Sequence, residues 1–446
     1  MFQNWKMIIS LALPNLISFS TITVTGTINL IMVGQLGALI IAVVGVSNII
    51  MYNAWALFSG IGHTVNFLVA QNFGANEMKK GIERTYISLY IGLFFGLLVF
   101  LFGLFFAPYL FQVMGGSPEL VAAGADYLRI RFFAMGFSIL NFILFGFMRG
   151  IGDTKTPMLI SIVNNLLMIL FTYGLTFGKF GLPVLGLRGA GWAIFIGEAL
   201  AFLCCLYVFF VRLHPVYHTR SAVGANRAET ALIVKESGKL GLQEFAMSVS
   251  MFIFTMFVTR LGTEALAANE VALNVMSFGF MPAFALGATA TILVGQEIGK
   301  GRPERAKRSG TDTAVLGTIL LLLLGTLEFY FAHEIARIFT TDPAVHQLAA
   351  QMIMVSAYLQ LFDGFLNFYA GGLRGIGDTT FLLHSSLALS FLVFIPLAYL
   401  FTSVFSWGSI GAWVSLYTYL VVFGLAVMIR YYRTDWGSVE TKRANI

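Results

Sequence analysis

The chain has 446 residues, of which 58% are hydrophobic and only 11% are charged. Soluble domains carry about 25% charged residues, so this composition excludes an ordinary soluble protein and indicates an integral membrane protein. The net charge of +6 does not indicate nucleic-acid binding, because cytoplasmic loops of membrane proteins are basic in any case. The adjacent Cys204 and Cys205 provide neither a disulfide framework nor a metal-ligand spacing.

Runs of about 20 apolar residues predict membrane-spanning helices. Twelve such runs follow one another, near residues 7–32, 39–70, 85–112, 121–148, 156–178, 187–212, 237–260, 266–296, 310–331, 345–372, 380–403 and 408–431. The second and eighth are longer than a bilayer requires, which favours tilted or protruding helices. The short, strictly alternating strands of a membrane β-barrel do not fit this pattern. The predicted fold class is therefore all-α and integral to the membrane.

Polar residues lie inside the predicted spans of the first half. One helical face of the first span carries Ser18, Thr21, Thr25 and Asn29. The sixth span contains Glu198, the one deeply embedded acid of this half. Because embedded ionisable residues are costly in lipid, they are candidates for function. For Glu198 two interpretations remain, a titratable group or an ion-pair partner of Arg129 or Arg131.

The polar segment 213–236 separates two apolar halves and is the predicted domain boundary. It divides the chain into an N-terminal lobe, 1–212, and a C-terminal lobe, 237–446, which ends in a short cytoplasmic tail. Each lobe has six predicted spans. An even number lets both lobes enter the membrane in the same direction, as parallel repeats. We expect two such lobes to enclose a central cleft, which is the architecture of an alternating-access transporter.

The two halves share sequence at a constant spacing of 225 residues. The hexapeptide that begins at Arg149 recurs unchanged at Arg374. Repetition of this kind indicates a duplicated unit. The embedded acids do not follow the repeat, since Asp363 falls opposite Ser138. The shared turns therefore indicate scaffold, and the unshared polar residues indicate where the halves have specialised.

The C-terminal lobe contains three candidate acids within predicted spans. Glu244 lies near the predicted start of the seventh span, where it could simply cap the helix. Glu270 lies early in the eighth span, on the same face as Asn274, and has a similar ambiguity. Asp363 lies in the tenth span. Two carboxylates brought close together would share a proton or a sodium ion, because each disfavours the charged form of the other.

Asp363 belongs to a polar stripe along the tenth span. The stripe consists of Ser356, Gln360, Asp363, Asn367 and Gly371. The carboxylate of Asp363 could bind a sodium ion or a proton, and Asn367 supplies a further oxygen one turn away. The bland interpretation is a satisfied buried acid that pairs with another helix. Beyond this Na⁺ site no metal is predicted.

Soft and aromatic side chains could form an adaptable pocket that attracts an organic cation. Together with polar residues, the candidates for lining the cleft are Asn29, Thr25, Gln360, Asn274, Met32, Met251, Tyr52, Trp55 and Tyr369. In a chain this apolar, each of them could equally face lipid or pack between helices.

Basic residues predict the orientation in the membrane. If the N-terminus is cytoplasmic, most of them fall on that side, among them Lys79, Lys80, Arg84, Lys300, Arg302 and Arg305. We therefore expect a multi-pass protein of the plasma membrane, the inner membrane of a bacterium, with both termini in the cytoplasm. A monomer is expected.

Several motifs resemble those of the multidrug and toxic compound extrusion (MATE) transporters. They are the segments 31–37, 267–274 and 294–296 and both Arg-Gly-x-x-Asp-Thr turns. The resemblance covers essentially the whole chain and is to the bacterial type, with the DinF-like branch as one candidate. It implies export of amphipathic, often cationic or aromatic compounds, driven by inward flow of protons or sodium ions.

The resemblance also bears on individual residues. In the resembled family an acid at the place of Asp363 takes part in cation coupling, and many members have an aspartate where this chain has Asn29. An amide cannot take up or release a proton. Either coupling uses other residues, or the chain carries an Asp→Asn change that disables one step. The acid that some members carry in the fifth span is also absent, since Asn164 and Asn165 occupy that segment.

Two other functions remain open. A flippase for a lipid-linked or polysaccharide precursor would need a strongly cationic cleft, and few arginines lie within the predicted spans. A channel or non-transporting receptor fits less well with a duplicated body whose candidate acids lie mainly in one half. The sequence has no Walker motif, no Ser/His/Asp set and no His or Cys metal cluster. We therefore expect a non-enzymatic protein without a cofactor other than the coupling ion.

Overall fold

The structure of the protein, a computed structural model, describes residues 2–442 apart from 115, 222 and 225. These residues are nearly all helical and contain no β-strand. Eleven helices are long and apolar enough to span a membrane, and a bent pair of helices supplies a twelfth span. The predicted all-α membrane fold with twelve spans is confirmed.

The spans are numbered in chain order. They are α1 (Phe2–Gly34), α2 (Ala38–Gly74), α3 (Met78–Val113), α4 (Pro118–Gly150), α5 (Lys155–Phe177), α6 (Leu187–Arg212), α7 (Arg227–Thr259), α8 (Thr263–Gly299), α9 (Pro303–Tyr330), α10 (Pro343–Ser356 and Leu359–Gly375), α11 (Thr379–Val404) and α12 (Gly408–Arg433). The two arms of α10 meet at a bend of 43°. Short helices at His214–Tyr217 and Ala332–Phe339 lie between spans. Several helices extend beyond the apolar runs of the sequence, because their first turns are polar.

The repeated hexapeptide forms the same turn in both halves. Gly152 after α4 has φ 88°, and Gly377 after α10 has φ 82°. Residues with a side chain rarely adopt this conformation, which explains the glycine in both copies. The aspartates that follow differ in use: Asp153 accepts a hydrogen bond from the backbone N–H of Thr156 at 3.0 Å, whereas Asp378 accepts one from Arg430 at 2.8 Å.

The described residues fall into two compact units. The N unit consists of described residues within 17–241, and the C unit consists of those within 2–16 and 242–442. Leu16 and Gly241, where the units meet along the chain, are themselves 225 residues apart. Thus the first part of α1 packs with the C unit, and the first part of α7 packs with the N unit.

These bounds differ from the lobes and linker expected from the sequence. The segment 213–236 is not wholly a linker, because α7 already begins at Arg227. The charged residues of this segment made it resemble a polar linker in the sequence. Some of them are buried in the structure, as Glu229 is, which accepts a hydrogen bond from Arg84 at 2.7 Å. Arg84 lies on α3, so this ion pair attaches the start of α7 to the N unit. On the C unit, Asn4 of α1 donates a hydrogen bond to Asp312 of α9 at 2.6 Å.

In each half of the repeat, the second and fourth membrane-spanning helices cross at glycines. The two crossings are those of α2 with α4 and of α8 with α10. In the N unit, a Cβ on Gly146 of α4 would lie 2.6 Å from the carbonyl oxygen of Gly62 on α2. In the C unit, a Cβ on Gly371 of α10 would meet the carbonyl oxygen of Gly287 on α8, and Thr291 donates a hydrogen bond to the Gly371 carbonyl at 2.9 Å. Small residues allow such backbone contact between membrane helices. Both crossings occupy equivalent positions of the repeat.

Candidate functional site

Asp363 lies in the second arm of α10, within the C unit, and is only 4% exposed. Its Oδ2 atom is buried without a hydrogen-bond partner. Burying a carboxylate costs free energy unless it is paired or binds a cation, and in a membrane span such a group marks a functional site by default. The polar stripe of α10 therefore contains an acid that the packing around it leaves unsatisfied.

Glu244 of α7 lies close to this acid. α7 begins at Arg227, so Glu244 is deep inside the helix and the capping interpretation does not apply. Its Oε1 atom is 3.8 Å from Nη2 of Arg374, which is itself buried. Glu244 also interacts electrostatically with Asp363. Two carboxylates and one guanidinium thus share this part of the C unit.

Tyr419 of α12 completes the cluster. It is 2% exposed, and its hydroxyl shares a hydrogen bond of 3.0 Å with the hydroxyl of Ser390 on α11. Tyr419 interacts electrostatically with both Asp363 and Glu244. We call Asp363, Glu244, Arg374 and Tyr419 the acidic cluster. In a chain with 16 tyrosines, no sequence signal distinguished Tyr419.

The remaining members of the α10 stripe have different surroundings. Asn367 donates a hydrogen bond to the backbone carbonyl of Asp363 at 2.8 Å. Gln360 is fully buried, and its amide lies against Gly279 of α8, where a Cβ would clash with it. Ser356 donates to the backbone of its own helix. The stripe is therefore a buried face, with Asn367 next to the acidic cluster.

Glu270 of α8 is exposed. Its backbone carbonyl accepts a hydrogen bond from the side chain of Asn274 at 2.7 Å, and Asn274 is exposed as well. Among the described residues, no hydrogen bond or ion pair joins Glu270 to Asp363 or Glu244. Of the three candidate acids in this half, the structure brings two together.

In the N unit, Glu198 of α6 accepts a hydrogen bond from Asn141 of α4 at 2.9 Å. It does not form a direct ion pair with either of the arginines considered from the sequence. Arg129 pairs with Asp126 at 2.7 Å. Arg131 donates to Asn48 at 2.9 Å and reaches Glu198 only by longer-range attraction.

The polar face of α1 is used in part for packing. Ser18 shares a hydrogen bond of 3.0 Å with Ser161 of α5, and Thr21 accepts one from Asn165 of α5 at 3.1 Å. Thr25 is buried. Farther along, Asn29 is half-buried, and its carbonyl oxygen is buried without a hydrogen-bond partner. The amide of Asn29 is thus the one member of this face with an unsatisfied oxygen.

The soft and aromatic candidates are dispersed. Met32 and Met251 are half-buried, and Tyr52 is exposed. Trp55 packs edge-on against Phe142 with ring centroids 5.4 Å apart. Tyr369 is buried, and its hydroxyl shares a hydrogen bond of 3.0 Å with Tyr432 at the end of α12. Tyr369 therefore belongs to a tyrosine cluster at one end of the C unit.

The N unit also contains a buried arginine, at the start of its copy of the repeated hexapeptide. Arg149, the repeat counterpart of Arg374, is 3% exposed and lies over the ring of Phe19, 4.6 Å from its centroid. Phe19 occupies the repeat position of Glu244. The 225-residue spacing could have revealed this pair, because it places an aromatic ring in the N unit where the C unit has a carboxylate.

A protein-family model matches most of the chain. The model of the MatE family matches residues 14–174 and again residues 240–400. The chain belongs to the MatE family. The two matches correspond to the two halves of the repeat, and they confirm the resemblance seen in the motifs. MatE proteins are multidrug efflux transporters of the membrane, so this chain is a member of a transporter family.

Curated relatives agree with this assignment. A probable multidrug resistance protein NorM of Pseudomonas aeruginosa is 30% identical over 397 residues, which are 86% of this chain and 80% of the relative. The multidrug resistance protein PmpM of the same species is 26% identical over 400 residues, 88% of this chain and 83% of the relative. These names give the flippase alternative no support. The assignment to a DinF-like branch stays a prediction.

Solved structures share the fold. A MATE structure in the straight conformation has a TM-score of 0.88 at 20% identity and covers 96% of this chain and 95% of that chain. A MOP superfamily transporter from Pyrococcus furiosus has a TM-score of 0.87 at 20% identity, with the same coverage. At this identity the likeness establishes the twelve-span, two-lobe fold and nothing about substrate.

Proposed function

We propose that this MatE protein is a secondary active efflux transporter, which exports amphipathic, often cationic or aromatic compounds in exchange for protons or sodium ions. The buried, unsatisfied carboxylate of Asp363 is the observation that carries the proposal. The protein would act as a monomer in the bacterial inner membrane, with both termini in the cytoplasm and its two halves alternating access to the two sides.

Asp363 is the proposed binding group for the coupling ion. Its carboxylate can take up a proton or ligate Na⁺, with oxygens of Asn367 and Tyr419 as further ligand candidates. The carboxylates of Asp363 and Glu244 repel each other whenever both are ionised. A cation that binds at Asp363 removes this repulsion. Binding energy would thereby favour one packing of α7, α10 and α12 over another.

Efflux of ethidium from proteoliposomes tests the proposal. An imposed pH gradient and an imposed sodium gradient are compared at equal size. We expect one of the two to drive efflux, and Asp363→Asn to abolish the driven component, because an amide can neither exchange a proton nor supply a carboxylate ligand. If neither gradient drives efflux, antiport is rejected.

The matched control is Asp342→Asn. Asp342 is the N-cap residue immediately before α10, and its side chain accepts a hydrogen bond from the backbone N–H of Ala344 at 3.0 Å. Asparagine caps a helix as well as aspartate does, so this substitution removes an acid next to α10 without disturbing the helix start. We expect wild-type efflux from Asp342→Asn. Unchanged efflux from Asp363→Asn would overturn the assignment of the coupling site while leaving the efflux activity itself in place.

A further inference from the structure

An apolar groove of about 310 Å³ lies within the C unit, between the first part of α1 and helices α8 and α9. Every residue that lines it is hydrophobic. Ile9 and Leu13 form part of the α1 wall and are 48% and 53% exposed, so the groove is open along this side. The opposite wall includes Leu320 of α9.

The repeat counterpart of this crossing is closed. In the N unit, a Cβ on Gly60 of α2 would clash with the backbone of Gly241 on α7, and a Cβ on Gly241 would clash with the carbonyl of Leu57. The C unit has Ala285 in place of Gly60 and Leu16 in place of Gly241. Both of these residues line the groove. The two glycines that meet in the N unit are thus replaced in the C unit by residues whose side chains line the groove.

The groove has the polarity and length of bilayer hydrocarbon. An apolar cavity of about 150 Å³ stays dry and takes up benzene, so a groove twice as large accommodates a longer hydrocarbon segment. The α1 wall from Ile9 to Leu16 extends about 10 Å along the helix axis. One leaflet contributes about half of the ~30 Å hydrocarbon core. The groove therefore matches part of one acyl chain.

Basic residues lie beyond one end of the groove. The hydrogen bond from Asn4 to Asp312 places the start of α1 beside the first part of α9. Lys6 shares a helical face with Ile9 and Leu13, and it is exposed. Arg308 lies one turn before Asp312, and its Nε atom is 4.0 Å from Oδ2 of that carboxylate. The Arg308 side chain is 66% exposed, so its remaining N–H groups are open to a further anion. Long basic side chains in this position extend to the headgroup layer.

The N unit lacks this charge pattern. At the repeat positions of Lys6 and Arg308 it has Ala231 and Glu83. In the N unit the crossing is closed and the basic pair is absent. In the C unit the groove is open and the basic pair is present. This concurrence indicates one ligand with an apolar tail and an anionic head.

We propose that the groove between α1, α8 and α9 is a binding site for an anionic phospholipid. One acyl chain occupies the groove, and the phosphate lies between Lys6 and Arg308, where ammonium and guanidinium groups donate hydrogen bonds to it. The site is separate from the acidic cluster and does not depend on the coupling ion. A bound lipid would stabilise the packing of the first part of α1 on the C unit.

Native mass spectrometry of the purified full-length protein tests the proposal. The protein is titrated with phosphatidylglycerol and, separately, with phosphatidylcholine of the same acyl chains. We expect one tightly bound phosphatidylglycerol. The double variant Lys6→Gln/Arg308→Gln should weaken the binding of phosphatidylglycerol by about 30-fold. The two basic residues are expected to contribute equally to the affinity for an anionic headgroup. Persistence of the preference for phosphatidylglycerol in this variant overturns the proposed headgroup site.

The charge-matched control is Lys79→Gln/Arg433→Gln. Both residues are exposed and lie at the ends of α3 and α12. This variant also loses two positive charges, so unchanged lipid binding attributes the effect to position and not to net charge. Equal weakening in control and test variants contradicts a specific site.

Filling the groove tests the acyl-chain half of the proposal. Ala12, a buried lining residue, is replaced in Ala12→Phe, and Ile319→Phe on the opposite wall serves if the first variant folds poorly. Either should lose the tightly bound phosphatidylglycerol although both basic residues are still present. If these variants fully retain the lipid, the assignment of the groove to an acyl chain is overturned. The same holds if ethidium alone displaces the lipid from the wild-type protein.

Discussion

The N unit and the C unit contain the same helix crossing, and each has a buried arginine near it. The two units stabilise the positive charge of this arginine in different ways. In the C unit, Arg374 is 3.8 Å from the carboxylate of Glu244. In the N unit, Arg149 lies over the aromatic ring of Phe19, with 4.6 Å between guanidinium carbon and ring centroid. The positions are equivalent in the repeat. Duplication has kept the backbone contact and changed the electrostatics.

This difference has a functional consequence. A carboxylate carries a net charge that responds to a neighbouring proton or sodium ion, whereas an aromatic ring offers only its quadrupole. The C unit also places Asp363 beside Glu244, while the repeat counterpart of Asp363 is Ser138. At this place in the repeat the C unit therefore has two carboxylates, where the N unit has an aromatic ring and a hydroxyl.

Substitution at the shared crossings should have the largest effect on stability. Gly371→Ala inserts a methyl group against the carbonyl of Gly287, and Gly146→Ala does the same against Gly62. We expect each to lower the free energy of unfolding by about 3 kcal/mol, the upper range for overpacking, because both contacts involve backbone. Thermal unfolding in detergent measures this.

The control for both variants is Gly45→Ala. Gly45 lies in α2, and a Cβ there has open space. Alanine should leave stability unchanged or raise it slightly, through its better helix propensity. If both variants unfold like this control, the backbone contact at the crossings does not limit stability; if only one of them is destabilised, the equivalence of the two crossings is refuted.

Glu244→Gln should have the next largest effect on stability, because it leaves Arg374 buried without its counter-charge. Breaking a fully buried ion pair costs about 3–5 kcal/mol, and the 3.8 Å separation here favours a smaller loss of about 2 kcal/mol. The double variant Glu244→Gln/Arg374→Met should recover part of this loss, since no unpaired charge remains. A double variant less stable than the single one would show that the pair is not the cause.

The sequence revealed the acids but not their neighbours. Asp363 and Glu244 could be predicted because charged residues inside apolar spans are rare and costly. Their proximity, and the participation of Tyr419, depend on which helices pack together, which is not encoded in spacing along the chain. Arg374 could have been anticipated as a partner of Glu244, since embedded opposite charges pair. The start of α7 was missed because Glu229 reads as polar linker, although it is buried against Arg84.

Phe19→Leu should have a smaller effect, confined to the N unit. It removes the nearest of three rings around the Arg149 guanidinium and leaves those of Phe142 and Phe145, at 5.9 and 5.5 Å. We expect a loss of about 1 kcal/mol, because the two remaining rings keep part of the cation–π interaction. Phe19→Tyr retains the ring face and should remain close to wild type in the same unfolding measurement. If the leucine and tyrosine variants are equally stable, the ring does not compensate Arg149.

Asn29→Asp should have the smallest effect on driven efflux. Asn29 belongs to the N unit, and its buried carbonyl oxygen has no hydrogen-bond partner. If the coupling ion binds at Asp363 alone, an acid at position 29 of the N unit adds a titratable group that coupling does not use, and ethidium efflux under either gradient should stay at the wild-type rate. A large gain would assign coupling to the N unit as well, because only a carboxylate, and not an amide, can exchange a proton there. That result would also favour an Asp→Asn change that disables one step over a protein that couples through the C unit alone.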